Sequence, residues 1–326
     1  MPGSRWILAC LAAACGLAPL AASAHMTPDR IFVVVMENHS YDEVVGRTNR
    51  SGFQVLTPFI TSLTSTSGVA LQAFGVSQPS LPNYLALLAG NSFGIHDDNT
   101  SCFAKPLVKP CHSFDRTNLV DSLEAAGISW GGYFQSMPVN GYLGGQYPPP
   151  GDGKYRQKHN PFPYFKDVAT NPKRVAKMHT WETLLHDLNA GTAPRFLFIV
   201  PDECHDMHGS TPFCPNFDEL LEAGDVTLQK LFNDILNSGL FTQRSLLFLT
   251  WDEGDFQNLG CCDSPPLLGG GHIPMFVLAG VPGNRISSHP YNQYSILATI
   301  ETLWHLPKLG YTADTKNVPP MFDLIP

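Results

Sequence analysis

Three runs of apolar residues, each followed by acidic residues, constrain the fold of this chain more than any other feature. The runs are IFVVVM at residues 31–36, FLFIV at 196–200 and LLFLTW at 246–251, and acidic residues follow at positions 37, 202 and 252. Continuous apolar and β-branched runs of this length are typical of strands buried on both faces of a parallel sheet. A fourth run, PMFVLA at residues 274–279, is predicted to be another strand of this kind.

Segments with helical patterning separate these runs. Helices are predicted near residues 58–65, 118–126, 181–188, 217–236 and 294–304, and shorter strands near 70–76 and 130–135. Strands that alternate with helices predict an α/β fold, here a three-layer sandwich with a largely parallel central sheet. The acidic ends of the strands should therefore meet at one edge of the sheet, where ligands bind in open α/β folds.

The length and charge of the chain limit its organisation and partners. Its 326 residues are 43% hydrophobic, which is enough for one large domain, expected over residues 25–326. The formal net charge of −8 argues against a nucleic-acid polymer as a partner.

The first residues resemble an export signal. Arg5 precedes an apolar run over residues 6–22, and Ala22-Ser23-Ala24 forms a small-residue cleavage site. Residues 1–24 are therefore predicted to be a signal peptide that is removed before His25. A membrane anchor is the alternative, but Gly16 and Pro19 interrupt the run, and no later segment is long and apolar enough to span a bilayer. The expected location is the periplasm or the medium.

Six cysteines remain after the signal, in three close pairs. The pairs are Cys102 with Cys111, Cys204 with Cys214, and Cys261 with Cys262. In an exported protein this spacing indicates disulfides that close local loops, although the adjacent Cys261 and Cys262 could bridge each other or bond elsewhere. A thiolate metal site is the less favoured alternative.

Ser80 lies where a helix is expected to begin. Pro79 and Pro82 flank it, and the apolar run LALLAG follows at residues 85–90. A serine in this place is commonly an N-cap, whose side-chain oxygen accepts a free backbone N–H of the first turn. It can also be a nucleophile, because the helix N-terminus favours a phosphate group.

The acidic residues after the strands suggest a metal site. They are Glu37-Asn38, the run DECHDMH at residues 202–208 and Asp252-Glu253. Any one of these could be an ordinary turn or cap at a strand end. Together, oxygen ligands with one or two imidazoles suit a divalent cation and leave Zn, Mn, Mg and Ca open. A cation beside Ser80 would stabilise its alkoxide and neutralise charge on a phosphate.

Four motifs also carry a family resemblance. They are MENHSYDEVVG at residues 36–46, QPSLPNYLALLAG at 78–90, KHNPFPYF at 158–165 and TWDEG at 250–254. Together they resemble the bacterial and fungal phosphoesterase family, which includes acid phosphatases and phosphatidylcholine-hydrolysing phospholipases C. That family belongs to the alkaline-phosphatase-like superfamily.

The resemblance implies roles for individual residues. Ser80 would be the nucleophile, the Asn83 amide would contact a phosphoryl oxygen, and His159 and His208 would lie near the phosphate or leaving group. The implied metal ligands are Glu37, Asn38, Asp252 and Glu253, and Asp206 would serve a second metal or orient these ligands. Gln293 stands where the family often has histidine, so any ligand role there passes to His272 or is absent. Lys158 is interpreted as a solvated loop charge.

The resemblance implies an exported, metal-dependent acid phosphatase that acts through a phosphoserine intermediate. A phospholipase C-type phosphodiesterase is the alternative enzyme, and a secreted phosphate-ester-binding protein without catalysis is the alternative from another class. The expected partner is a small phosphate ester or a phospholipid head group. The Gly/Pro/Tyr-rich segment 137–165 is predicted to form an inserted cap whose aromatic side chains line the pocket.

Overall fold

The computed structural model describes residues 26–49, 51–52, 54–149, 151–254 and 269–326. The predicted signal peptide, Cys261 and Cys262 lie outside these residues. The strands are β1 Arg30–Met36, β2 Gly68–Ala73, β3 Trp130–Phe134, β4 Gln146–Tyr147, β5 Tyr155–Arg156, β6 Met178–Thr180, β7 Phe196–Val200, β8 Ser245–Trp251, β9 Met275–Ala279 and β10 Arg285–Tyr291. The α-helices are α1 Tyr41–Val44, α2 Pro58–Thr66, α3 Leu81–Ala89, α4 Leu119–Ala125, α5 Lys166–Ala169, α6 Pro172–Val175, α7 Trp181–Ala190, α8 Phe217–Asn237 and α9 Gln293–Leu303.

A large mixed sheet organises these elements. Its strand order is β10-β2-β9-β8-β1-β7-β3-β6. The three strands that the sequence predicts most clearly are adjacent, because β1 pairs in parallel with both β7 and β8. The prediction of a largely parallel sheet is confirmed. The fourth run, β9, differs, since it lies antiparallel between β2 and β8.

The central strands are covered on both faces. Every residue of β3, β7 and β8 is buried, as are six of the seven residues of β1. Two groups of helices supply the cover: α2 and α7 pack on α8, and α3 packs on α4 and α9. Sheet and helices therefore form three layers, as continuous apolar strands require.

The segment 137–165 is partly built into the core of the fold. It contains the small β4–β5 hairpin and two 3₁₀ helices, Gln157–His159 and Phe162–Tyr164. Met137, Tyr155 and Phe162 are core residues, and the Phe162 ring stacks on Trp130 at 5.0 Å between centroids. Burial of Met137 and Phe162 argues against a pocket-lining role for these two side chains, whereas Tyr147 is 40% exposed. That the segment forms a cap over the site stays a prediction.

Both predicted local disulfides that lie in the described residues are present. Cys102 is bonded to Cys111, and Cys204 to Cys214. Among the described residues, no helix combines the length and apolarity needed to cross a bilayer.

Candidate active site

The polar ends of β1, β7 and β8 meet at the carboxyl edge of the sheet. Asp252 N donates to the Met36 carbonyl oxygen at 2.9 Å, so the residues that follow β8 and β1 continue side by side. Asn38 N donates to Asp252 Oδ1 at 3.0 Å, and Glu37 N donates to the Asp206 carbonyl oxygen at 2.9 Å. These hydrogen bonds bring the three predicted acidic clusters together.

The side chain of Ser80 does not cap its helix. Ser80 has helical backbone angles, φ −52° and ψ −52°, and makes no side-chain cap bond. The N–H of Leu81 is instead bound by Asp98 Oδ1 at 3.0 Å. The Ser80 hydroxyl lies 3.1 Å from Glu37 Oε2 and 3.5 Å from Glu253 Oε1, which places it among the acidic residues. Its side chain therefore does not act as an N-cap.

The amide of Asn83 holds the turn that carries Ser80. Its Oδ1 accepts from Ser77 N at 3.0 Å, and its Nδ2 donates to the Ser77 carbonyl oxygen at 2.8 Å. The contact of Asn83 with a substrate oxygen stays a prediction. In this structure Asn83 fixes the backbone that leads to Ser80.

Tyr84 is a site residue that the sequence reasoning missed. Its hydroxyl donates to Glu37 Oε1, and its ring stacks on His159 at 5.3 Å between centroids. His159 Nε2 lies 3.0 Å from Glu37 Oε2, and its Nδ1 lies 3.5 Å from Asp206 Oδ2. The four-residue spacing from Ser80 was the available signal, because it puts Tyr84 one helical turn further on the same face.

Lys158 is buried, so its interpretation as a solvated loop charge is wrong. The residue is only 7% exposed, and its Nζ donates to Ser80 Oγ at 3.3 Å. Nζ also lies 3.2 Å from His208 Nε2 and 3.5 Å from Asp98 Oδ2. Burial lowers the pKa of this ammonium, but Glu37, Asp98 and other carboxylates outweigh that effect and raise the pKa above its ordinary value. Lys158 therefore carries a positive charge beside Ser80.

His208 lies nearer to solvent than His159. Its side chain is 24% exposed, whereas that of His159 is 4% exposed. Its Nδ1 is 2.8 Å from Glu203 Oε2, a second site residue that follows β7. Burial lowers the pKa of His208, but the hydrogen bond with Glu203 prevails and raises it. Burial, followed by the charge of Lys158, lowers the pKa of His159 well below its usual range.

The carboxylates of the site are buried close together. Burial raises the pKa of Glu37 and raises those of Asp206, Asp252 and Glu253 well above the ordinary range. Four buried carboxylate oxygens of this site make no hydrogen bond within the described part of the chain: Glu203 Oε1, Asp206 Oδ2, Asp252 Oδ2 and Glu253 Oε2. Buried charges without partners are costly, and hard oxygen donors are what Mg²⁺, Ca²⁺ and Mn²⁺ prefer. The chemistry of this donor set thus fits a divalent cation. Within residues 26–49, 51–52, 54–149, 151–254 and 269–326, no three His, Cys, Asp or Glu side chains stand in a ready metal-ligand geometry.

The two remaining predicted positions have structural roles. Gln293 Nε2 donates to the carbonyl oxygens of Trp251 and Asp252 at 3.1 and 2.6 Å, and its Oε1 accepts from Val76 N at 3.0 Å. Gln293 thereby ties the end of β8 to the segment that leads to Ser80. His272 Nε2 contacts the Leu71 carbonyl oxygen at 3.0 Å.

Known proteins are similar to this chain in sequence. The sequence model of the Phosphoesterase family matches residues 52–307. A phosphatidylinositol-3-phosphatase of Mycobacterium tuberculosis is 31% identical over 307 residues, which cover 94% of this chain and 85% of that protein. A phosphate-repressible acid phosphatase of Penicillium chrysogenum is 32% identical over 237 residues, which cover 73% of this chain but only 52% of that protein.

Solved structures are similar in fold. A protein of the alkaline phosphatase superfamily from Vibrio parahaemolyticus superposes with a TM-score of 0.53 at 15% identity, covering 86% of this chain and 68% of that one. The sulfatase PsFucS1 from a Pseudoalteromonas species gives a TM-score of 0.55 at 12% identity, covering 86% and 69%. These similarities show that the chain shares its fold with these two proteins.

Proposed function

This chain belongs to the phosphoesterase family, and from that premise we propose that it is an exported, metal-dependent acid phosphatase in which Ser80 is the nucleophile. The observation that carries the proposal is the place of the Ser80 hydroxyl. It leaves its helix uncapped and lies between the carboxylates of Glu37 and Glu253 and the ammonium of Lys158. Family membership supports phosphoric esters as the substrate class.

Ser80 would form the covalent intermediate. Its oxygen attacks phosphorus in line, the new bond joins phosphorus to Ser80 Oγ, and the bond to the leaving oxygen breaks. Glu37 Oε2, at 3.1 Å, is placed to hold the Ser80 proton. Water then cleaves the phosphoserine and releases phosphate. Uncatalysed hydrolysis of phosphate monoesters is so slow that rate accelerations reach about 10²¹-fold.

Glu37, Asn38, Asp252 and Glu253 would hold a divalent cation, with Asp206 supporting a second ion or the orientation of these ligands. When bound, the cation would neutralise charge on the phosphoryl group and on the serine oxygen. The buried and unpartnered oxygens of Asp252 and Glu253 support this part of the proposal.

His208 is the better placed of the two histidines to protonate the leaving oxygen. It lies nearer to solvent, and Glu203 fixes its ring through Nδ1. His159 lies deeper, between Tyr84 and Glu37, where it can orient the carboxylate. Asn83 would act by holding the turn before Ser80.

Export and substrate range complete the proposal. Two disulfides, Cys102–Cys111 and Cys204–Cys214, support an oxidising compartment and so the periplasm or the medium. The mycobacterial relative is named for a lipid head-group phosphate, which makes such monoesters candidate substrates beside small phosphate esters.

Hydrolysis of p-nitrophenyl phosphate and of p-nitrophenyl phosphorylcholine, each with and without a chelator, tests the function. A phosphatase cleaves the first and loses activity to the chelator, a phospholipase C cleaves the second, and a binding protein cleaves neither.

Ser80→Ala should lower kcat/KM by about 1,000-fold or more, because it removes the nucleophile. Ser122→Ala is the matched control: Ser122 is also a buried serine, but it lies in α4, and this variant should retain activity.

His208→Ala should lose more turnover on an alkyl phosphate than on the nitrophenyl ester, whose leaving group needs little protonation. Equal losses on the two esters would remove His208 from that role.

A further inference from the structure

We propose that Lys158 makes this site selective for phosphate monoesters over diesters, by pairing its ammonium with the additional anionic oxygen that only a monoester carries. The inference rests on the proposed function of Ser80. It assigns a substrate-contacting role to a residue that sequence patterning places on an ordinary loop.

The ammonium is directed at the reacting position. Lys158 belongs to the 3₁₀ helix Gln157–His159, whose residues are all buried. Its Nζ lies 3.3 Å from Ser80 Oγ, the atom that would bond to phosphorus. A phosphoryl group seated on Ser80 would therefore have its free oxygens within reach of Nζ.

Lys158 contributes the positive charge among the side chains that hydrogen-bond to Ser80. In the described part of the chain, the side chains that hydrogen-bond to Ser80 Oγ are Glu37 at 3.1 Å, Lys158 at 3.3 Å and Glu253 at 3.5 Å. Two of these three are acids, which repel an incoming phosphate. A cation held by the acids would offset their charge, and Lys158 would supply positive charge that belongs to the protein itself.

The neighbours of Lys158 keep it in place. Asp98 Oδ2 lies 3.5 Å from Nζ, while Asp98 Oδ1 binds the first N–H of α3. The same aspartate thus links the ammonium to the helix that carries Ser80. His208 Nε2 lies 3.2 Å from Nζ, so Lys158 stands between the nucleophile and the histidine proposed to serve the leaving group.

Monoesters and diesters differ in charge at this position. Above a second pKa of about 6, a phosphate monoester carries close to two negative charges on three terminal oxygens. A diester carries one charge on two such oxygens, because the third is esterified. A charge-assisted hydrogen bond to the third oxygen is therefore available to the monoester alone. Its loss should cost on the order of 100-fold in kcat/KM for monoesters and much less for diesters.

The test uses the full chain at pH 7.5, with p-nitrophenyl phosphate and bis(p-nitrophenyl) phosphate as substrates. Both release nitrophenolate, so protonation of the leaving group does not distinguish them. Lys158→Met removes the charge at similar volume, and Lys158→Gln retains hydrogen-bonding capacity without the charge. Lys158→Arg keeps the charge. Melting temperatures identify which variants are folded, and any folded neutral variant is sufficient.

We expect both neutral variants to lower kcat/KM for the monoester by about 100-fold more than for the diester, with Lys158→Arg recovering part of the difference. Competitive inhibition should change in the same way: the neutral variants weaken inhibition by inorganic phosphate and leave inhibition by diethyl phosphate nearly unchanged. If diester turnover is too slow to measure, the inhibition constants of phosphate and diethyl phosphate test the selectivity instead. Equal losses for both substrates and both inhibitors would overturn the inference, since Lys158 would then act on Ser80 or on folding alone. A wild-type protein that hydrolyses neither ester would instead contradict the proposed function.

Discussion

The buried carboxylates of the site destabilise the fold when no cation is bound, although the proposed function requires them. Asp252 is fully buried, and its Oδ2 has no hydrogen-bond partner. An unpaired buried carboxylate destabilises a fold unless it is protonated or bound to a cation. The raised pKa of Asp252 results first from this burial and then from the nearby charge of Glu37.

Asp252→Asn should therefore abolish metal retention and stabilise the metal-free fold. The amide still offers Oδ1 to the N–H of Asn38, which the carboxylate now binds at 3.0 Å. Removing the charge should raise the melting temperature by about 3 °C or more relative to chelator-treated wild type. Elemental analysis and thermal melts with and without chelator measure both effects. Full metal occupancy in the variant would contradict the ligand role, and Glu37→Gln provides a second variant for the metal measurement.

Sequence reasoning found the residues that lie at strand ends and missed those that depend on packing. Glu37 and Asp252 directly follow β1 and β8, so parallel pairing alone brings them together. Lys158 follows no strand of the main sheet, and only the folded 3₁₀ segment shows that it is buried. A lysine is usually exposed, so composition and periodicity gave no reason to place it beside Ser80.

At the scale of elements, a disulfide constrains the segment between β7 and α8, which contributes side chains to the site. It carries Glu203, Asp206 and His208, and the Cys204–Cys214 disulfide closes a loop that contains Asp206 and His208 and begins directly after Glu203. Glu203 N donates to the Lys154 carbonyl oxygen at 3.0 Å, which joins this loop to the segment before Lys158. The loop is therefore fixed at its cysteines and at the sheet edge.

Replacing Cys204 and Cys214 together by serine should reduce both stability and kcat. Opening a loop of this length costs about 3 kcal/mol through the entropy of the unfolded chain. The Cys102/Cys111 double serine variant is the matched control, because the sequence separations are 9 and 10 residues. The two variants should melt at similar temperatures, and the loss of kcat should be larger for the Cys204/Cys214 variant. A larger loss of kcat in the control would show that the β7–α8 loop does not depend on its disulfide.

Strand direction and edge strands were beyond the reach of the sequence pattern. The run that forms β9 is as apolar as β1, but an apolar run reports burial and gives no direction, so its antiparallel pairing was not predicted. β10 reads RISSHPY and is exposed at five of its seven positions, which matches an edge strand with little apolar signal. The central strands could be predicted because burial on both faces demands a continuous apolar sequence.

At the scale of the whole molecule, the negative charge of the protein opposes the binding of an anionic substrate. The chain has a formal net charge of −8, and its site buries several more acids than bases, although the proposed substrate is an anion. Attraction of a phosphate must then come from local groups, namely a cation held by the acids and the ammonium of Lys158. The net charge argued against a nucleic-acid partner, but it could not predict positive charge at the site, because that depends on which side chains the fold brings together.

The central claim is that Ser80 carries the phosphoryl group during turnover, and acid quenching tests it most directly. Wild-type protein is mixed with p-nitrophenyl phosphate, quenched within milliseconds and digested, and the peptide spanning residues 78–90 is analysed by mass spectrometry. We expect one phosphate on Ser80 in the wild type and none in Ser80→Ala, which should also lack turnover. Wild-type protein that turns the substrate over with no phosphate on Ser80, or a Ser80→Ala variant with more than about a tenth of wild-type turnover, would contradict the account.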